Sequence, residues 1–188
     1  MLNQIRPAIV LTVLLSAVTG LAYPLAITAA AQVAFPEQAN GSRIERDGVT
    51  IGSELIGQNF AEPKYFWPRP SATGPEPYNA AASTGSNIGP TGKALVERVA
   101  ASVQAMGGGP VPGDAVTTSG SGLDPHIFPQ YAASQIARVA KARGVEPAAI
   151  AKLVADVTEG PALGIFGEMR VNVLRLNLAL DAAAPLGN

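Results

Sequence analysis

No charged residue stands between Arg6 and Glu37, and residues 7–36 are dominated by Ala, Leu, Val and Ile. A bilayer core about 30 Å thick needs roughly 20 apolar residues in a helix. The run is long enough to cross, and no second run like it follows. A chain patterned in this way reads as one membrane anchor, residues 1–36 with its span over about 8–30, carrying one domain over residues 37–188.

A secretory signal peptide is the competing reading. Arg6 would be its basic head, and Ala29-Ala30-Ala31 its small-residue cleavage site. The apolar part of a signal is usually about 7–15 residues long. The uncharged run here is about twice that, which favours a retained anchor. Pro24 lies inside the run, where it is expected to kink the helix or mark its outer third. Thr12, Ser16, Thr19 and Gly20 are small and lie about one turn apart, a spacing that lets a second helix approach closely in lipid. With so short a head, the N-terminus is expected in the cytoplasm and the domain outside it; in a bacterium that places the domain beyond the cytoplasmic (inner) membrane.

Net charge is −1, which gives no strong pull toward nucleic acid or anionic lipid. Charged residues make up 14% of the chain, against about 25% in an ordinary soluble domain. The anchor accounts for part of the deficit, and a partner covering some of the domain would account for more. The chain has no cysteine, which is compatible with either side of the membrane.

Residues 48–60 read as a short strand followed by a turn, on Val49, Ile51, Leu55, Ile56 and Phe60 with interspersed glycines. Between residues 63 and 92, 18 of 30 residues are Pro, Gly, Ser, Thr or Asn. Such punctuation resists helix and strand. Yet Tyr65, Phe66, Trp67 and Tyr78 fall there, four of the ten aromatics, so an ordered, functional loop is expected rather than a linker. Thr91 is expected to cap a helix whose apolar face is Leu95, Val96, Val99, Val103 and Met106. A second loop covers 111–128. A helix follows from Pro129 to Arg143, burying Ala132, Ile136, Val139 and Ala140 and stopped by Gly144. A third opens at Pro147, with Ile150, Leu153, Val154 and Val157 inward, and closes at Gly160-Pro161. Residues 171–180 mix alternation with helix-forming content and read as a strand turning into a helix. The expected fold class is α+β: a single N-terminal transmembrane helix followed by one mixed α/β extracytoplasmic domain with long ordered loops.

Catalytic signals are sparse. The one histidine, His126, sits between Pro125 and Ile127, with Asp124 too near in sequence for a remote triad member. It reads as a loop histidine bonded locally. One histidine and no cysteine argue against zinc. Residues 89–94 partly match a phosphate loop, but Asn87 stands where its first glycine belongs and Ala94 where a hydroxyl should hold magnesium. The aspartyl-phosphate motif of a P-type ATPase is absent. No catalytic residue, metal ligand or directly bound cofactor is therefore expected.

Two loop segments are rich in hydroxyls, amides and backbone freedom: 65–87 and 117–127. They read equally well as elaborate turns bonding their own backbone or as a rigid polar face that docks on another protein. The candidates for such a face are Trp67, Arg69, Ser71, Tyr78, Asn79, Ser83, Ser86, Asn87, Ser119 and Asp124. Glu76, Asp114 and Asp124 are candidates for steering a cation toward it.

Six segments in order carry a resemblance: 52–60 (GSELIGQNF), 65–72 (YFWPRPSA), 78–79 with 83–87 (YN and STGSN), 119–127 (SGSGLDPHI), 135–143 (QIARVAKAR) and 171–181 (VNVLRLNLALD). Together with 38–42 (QANGS) they resemble the KdpC family, the C subunit of the bacterial high-affinity potassium-transporting P-type ATPase. The departures are small: Thr84 where the family often has a second glycine, and Phe128 at a place often polar. The resemblance implies a four-subunit pump. Its partners would be a potassium-selective channel-like subunit, a P-type subunit that hydrolyses ATP and a very small membrane peptide. ATP and the potassium ion would be used by the complex. The C subunit of that family spans once and places its domain above the entrance of the selectivity subunit. The resemblance also implies an alternative role, a catalytic chaperone that raises the ATP affinity of the hydrolysing subunit through a transient ternary complex with ATP.

Overall fold

A computed structural model describes residues 2–185. The chain divides into two compact units, residues 1–51 and 52–188.

In the first unit, helix runs without a break from Ile5 to Ala34, thirty residues with none of the span buried. At about 1.5 Å per residue this is about 45 Å of helix, more than a bilayer core requires. It comprises α1 (Ile5–Ala17), a π-helical turn (Val18–Ala22) and α2 (Tyr23–Ala34). The turn lies just before Pro24, which has no N–H to give and whose ring crowds the carbonyl one turn back. The Tyr23 N–H reaches Val18 O across the widened turn, and the Thr19 hydroxyl bonds Leu15 O at 2.7 Å. Pro24 thus stands against a local change of helix type, a common site of such bulges. Phe35 leaves the helical region, and Pro36 opens the single turn α3 (Pro36–Ala39). Gln32 and Asn40 exchange side-chain hydrogen bonds across this break.

A hairpin follows, β1 (Arg43–Arg46) with β2 (Val49–Ser53). Its turn residues Asp47 and Gly48 both have positive φ, +53° and +76°, the geometry that Asp-Gly favours between two strands. The strand expected within 48–60 is therefore β2, and β1 is a strand the sequence reading lacks.

The second unit is built on a small antiparallel sheet of order β3–β5–β4, from His126–Ile127, Arg170–Asn172 and Thr158–Glu159. Ile127 and Thr158 face Val171 from either side. Helix α4 is Lys93–Ala105, α5 Pro129–Arg143, α6 Pro147–Asp156 and α7 Val173–Ala183. Helix α5 packs on α6, and α6 on α7. Their shared core joins Ile127, Tyr131, Val139, Ile150, Val154, Val171, Leu176 and Leu180 to Phe66 from the long loop.

Local chemistry explains most boundaries. Pro129 and Pro147 open α5 and α6, where a missing N–H costs nothing. Gly144, at φ +67°, ends α5 in the left-handed region. Asn172 ends β5 and caps α7, its Oδ1 accepting the Arg175 N–H at 3.1 Å. The run 171–180 is thus a strand turning into a helix, but the strand is only three residues long. Most of the alternating leucines lie on α7, with Leu176 and Leu180 one turn apart in the core.

Helix α4 departs from expectation in two respects. Its cap position is Gly92, with no side-chain bond, so Thr91 does not cap it. The Gly92 N–H instead closes a turn on Gly89 O at 3.0 Å. None of its residues is fully buried, and Val96 is 64% exposed. Only Val99 and Val103, with Met106 just past its end, reach the edge of the core. After α6, β4 intervenes before the expected stop at Gly160-Pro161.

The long loop has no strand to pair with, yet Phe66 is fully buried. Asn177 supplies the missing ladder. Its Oδ1 accepts the Phe66 N–H at 2.8 Å and its Nδ2 donates to Phe66 O at 3.0 Å. Replacing Asn177 with Leu strands both buried backbone groups, each worth about 1–3 kcal/mol when unpaired. The expected loss is on the order of 3 kcal/mol, read as a lower urea midpoint by fluorescence of Trp67, the sole tryptophan.

Candidate functional site

Gln135 repeats next door what Asn177 does. Its Oε1 accepts the Trp67 N–H at 2.7 Å, and its Nε2 donates to Trp67 O at 3.1 Å. Arg138, one turn along α5, donates to Pro63 O and Tyr65 O at 2.6 and 2.9 Å. Its guanidinium lies 3.6 Å from the centre of the Trp67 ring, a cation–π stack. Arg143, its side chain fully buried, bonds Lys64 O, Ala184 O and Asp181. Tyr65 reaches the same Asp181 carboxylate at 3.3 Å. Residues 63–67 are therefore fastened to α5 and α7 almost entirely by side chains gripping backbone.

Beyond Trp67 the loop folds around Arg69. This side chain pairs with Asp124 at 3.1 Å and donates to Thr117 and Thr118 O. Asp124 Oδ1 accepts the His126 N–H at 2.9 Å, while His126 Nδ1 stands 3.6 Å from it. Burial pushes the Asp124 carboxyl up, but the adjacent His126 side chain, the bond from the His126 N–H and the charge of Arg69 together hold it below its ordinary value. Tyr78 sits at φ +60° and donates its hydroxyl to Arg69 O at 2.7 Å. Burial first, then the Asp124 charge, pushes its phenol far above the ordinary value, so the hydroxyl stays a donor.

Ser71 and Thr73 form a second knot. Ser71 donates to Gly122 O at 2.7 Å and accepts the Tyr78 N–H at 3.0 Å. Thr73 accepts the Asn79 N–H at 3.0 Å and donates to Glu76 O at 2.9 Å. Asn79 caps a single turn at Ala80–Ala82. Ser83 donates to Ser121 O, closing one loop on the other, while Ser119 accepts the Gly122 N–H within the second loop. Ser86 is half-buried, and Asn87 is exposed at φ +50°.

Two glycines permit this closeness. A Cβ at Gly57 would lie 2.5 Å from the Tyr78 ring and 2.7 Å from Asp124 O. Gly122, at φ +69°, would place one 2.7 Å from Thr84 O.

The structure thus gathers Arg69, Ser71, Tyr78 and Asp124 into one bonded hub, with Ser83 and Ser119 at its rim. Trp67 stands apart from the hub, held against α5 by Gln135 and Arg138. Of the three steering acids, Glu76 is exposed, Asp124 is ion-paired and Asp114 is buried. Among the described residues no group of three His, Asp or Glu side chains is arranged to hold a metal ion.

A cavity of about 260 Å³ opens beside the hub, bordered by Asp114, Asp124, His126, Phe128, Phe166 and Arg170 among others. One of its walls is a feature the sequence reading passed over. Residues 162–166 form a tight hairpin in which Ala162 and Phe166 exchange backbone hydrogen bonds of 2.8 and 2.9 Å. It displays Leu163, Ile165 and Phe166 at 88, 78 and 65% exposure. The signal was there to read: apolar residues without helical or strand period, set between Pro161, Gly164 and Gly167.

The depressed Asp124 carboxyl has a thermodynamic consequence. It binds its proton more weakly folded than unfolded, so it stabilises the domain above about pH 4, the unfolded value. That contribution is lost as pH falls through the folded value. Replacing Asp124 with Asn is expected to cost about 2 kcal/mol at pH 7, leaving Arg69 unpaired, and to flatten the acid limb of stability against pH. Thermal midpoints measured from pH 7 to pH 3 check both.

Against this geometry the chain matches a known family over residues 5–182, the KdpC family (K+-transporting ATPase, c chain). Proteins called potassium-transporting ATPase KdpC subunit are similar along their whole length. That of Dechloromonas aromatica is 55% identical over 98% of this chain and 100% of its own. That of Sorangium cellulosum is 56% identical over 97% and 100%. That of Burkholderia orbicola is 57% identical over 97% and 98%. The match takes in the apolar helix, both knotted loops and the α5 and α7 side chains that hold them, and the chain belongs to the KdpC family.

Proposed function

We propose that the chain works as a non-catalytic subunit of an ATP-driven potassium uptake pump, docking its knotted loop face on the outer mouth of the potassium-selective subunit. The helix Ile5–Ala34 fastens it in the inner membrane, with the N-terminus cytoplasmic and the domain outside. The observation that carries this reading is the pre-organisation of the loops. Arg69, Ser71, Thr73 and Tyr78 fix the backbone of 69–79 and 117–124 before any partner arrives. A surface already ordered loses little entropy on binding. Trp67, stacked on Arg138, and Tyr78 supply the rigid aromatic and guanidinium chemistry typical of interface anchors.

The other subunits in this reading are the ATP-hydrolysing subunit and the small membrane peptide. A domain outside the membrane stands away from cytoplasmic ATP. A rise in the ATP affinity of the hydrolysing subunit would then be coupled through the membrane helices, as a free energy shared between two sites.

Two measurements test this. Co-purification in mild detergent compares the full chain with one lacking residues 1–36. The full chain is expected to join the pump and restore potassium-stimulated ATP hydrolysis, and the shortened chain to do neither. Loss of the complex with both would overturn the reading. The chain has no cysteine, so Ala81→Cys, at an exposed position, reports topology cleanly. Labelling by a membrane-impermeant reagent on intact cells is expected; labelling only after permeabilisation would place the domain inside.

A further inference from the structure

We propose that the cavity beside Asp114 is a socket for one basic side chain, Lys or Arg, of a partner subunit, with the 162–166 hairpin as its apolar lip. This rests on the reading of the chain as a pump subunit and names the chemistry one part of its docking face accepts.

The carrying observation is an unfinished carboxylate. Asp114 is 3% exposed. Its Oδ2 accepts the Phe128 N–H at 2.7 Å, while its Oδ1 finds no hydrogen-bond partner among the described residues. A buried carboxylate oxygen left bare is costly unless something completes it. The cavity that Asp114 borders measures about 260 Å³, room for several waters or one long side chain.

The charges around that cavity leave a surplus of one sign. Arg69 is committed to Asp124, and Arg170 to Glu159 at 2.9 Å. Asp114 and Glu168 border the cavity with no ion pair of their own among the described residues. The net charge of the lining is therefore negative and favours a cation. Its walls are mixed: Ile127, Phe128, Ala162 and Phe166 line it as well. An ammonium or guanidinium on an aliphatic stem suits such a lining, its stem against the phenyl rings and its head in the field of Asp114 and Glu168. Leu163 and Ile165, exposed at the tip, extend the apolar contact to residues flanking the partner's cation. Leu163 holds φ +54° without being glycine, so the tip is fixed at some cost in backbone strain.

A membrane surface fits less well. Residues 160–169 contain no Lys or Arg, and Glu168 would be repelled by anionic headgroups. A protein groove presenting a basic residue matches both the charge and the apolar lip.

The test uses the full-length chain in detergent and the pump assembled without it. Binding of the unchanged chain comes first; its failure would refute the subunit reading rather than the socket. Asp114→Asn keeps an acceptor for Phe128 N–H and removes the charge. It is expected to weaken binding at least about tenfold without lowering the thermal midpoint of the free chain. Glu168→Gln, at an exposed position, leaves the fold intact and is expected to weaken binding about threefold with a shallower salt dependence. The proposal is overturned if both variants bind within twofold of the unchanged chain. It is also overturned if potassium chloride, against choline chloride at equal ionic strength, raises the midpoint of the free chain and Asp114→Asn abolishes that rise, since a free monovalent cation is then the occupant. A loss of binding seen only in micelles containing anionic lipid would assign the site to a membrane surface and overturn it too.

Discussion

Two side-chain amides stand in for a missing β-strand, and the loop face depends on them. Asn177 and Gln135 each present a carbonyl and an N–H to successive residues, Phe66 and Trp67, as a neighbouring strand would. Buried backbone groups need partners, and a loop of prolines and glycines cannot find them in its own ladder. The amides come from two different helices, α7 and α5. Phe66 can therefore enter the core between the helices while the chain around it stays irregular. Without that anchor the loop would lose the fixed point from which Arg69, Ser71 and Tyr78 are positioned.

The arginines extend the same logic. Arg138 and Arg143 have fork-shaped heads that serve several carbonyls at once. One buried guanidinium can satisfy a turn that would otherwise need ordered water. Arg69 does so for the second loop, and Asp124 neutralises it while ordering His126. The low share of charged residues conceals this: several of the charges the domain has are structural, set inside loops rather than spread over the surface.

Legibility in the sequence followed the range of the interaction. The long apolar helix was plain, because an uncharged run of that length stands out in an otherwise punctuated chain. Helices α5 and α6 were plain because Pro129, Gly144 and Pro147 act on their own turns. The strand-to-helix switch near 171 was legible in kind, but the alternating leucines overstated the strand. Asn172 decides that boundary through its cap, and neither alternation nor propensity reports a cap held by a buried side chain. Strand β1 was missed although Asp47-Gly48 announces a hairpin; an exposed strand of four residues, three of them charged, carries little apolar signal. Thr91 looked like a cap because a hydroxyl preceded an amphipathic run, but the backbone turn at 89–92 shifts the helix start by one residue. The loops were legible only as ordered and polar. Their bonds join residues 68 and 111 positions apart, and no local pattern encodes such pairings. The residue-level chemistry identified no activity, whereas the order of long motifs pointed to the family that the comparisons then gave.

Polar side chains on such a face do two different jobs that a sequence cannot separate. Ser71, Thr73, Asn79 and Ser83 look available for recognition, yet each is engaged with backbone of its own domain. Breaking those bonds to contact a partner would cost what they contribute to folding, so their bearing on recognition is first through shape. What a partner can meet at no such cost is what the domain leaves open: an exposed apolar hairpin, a cavity bordered by acidic residues, and the outer faces of residues already fixed. A surface rigid in its polar parts and incomplete in a few others is selective. Any partner must match a fixed contour before it can satisfy the groups left over, and a poor match leaves a buried charge uncompensated.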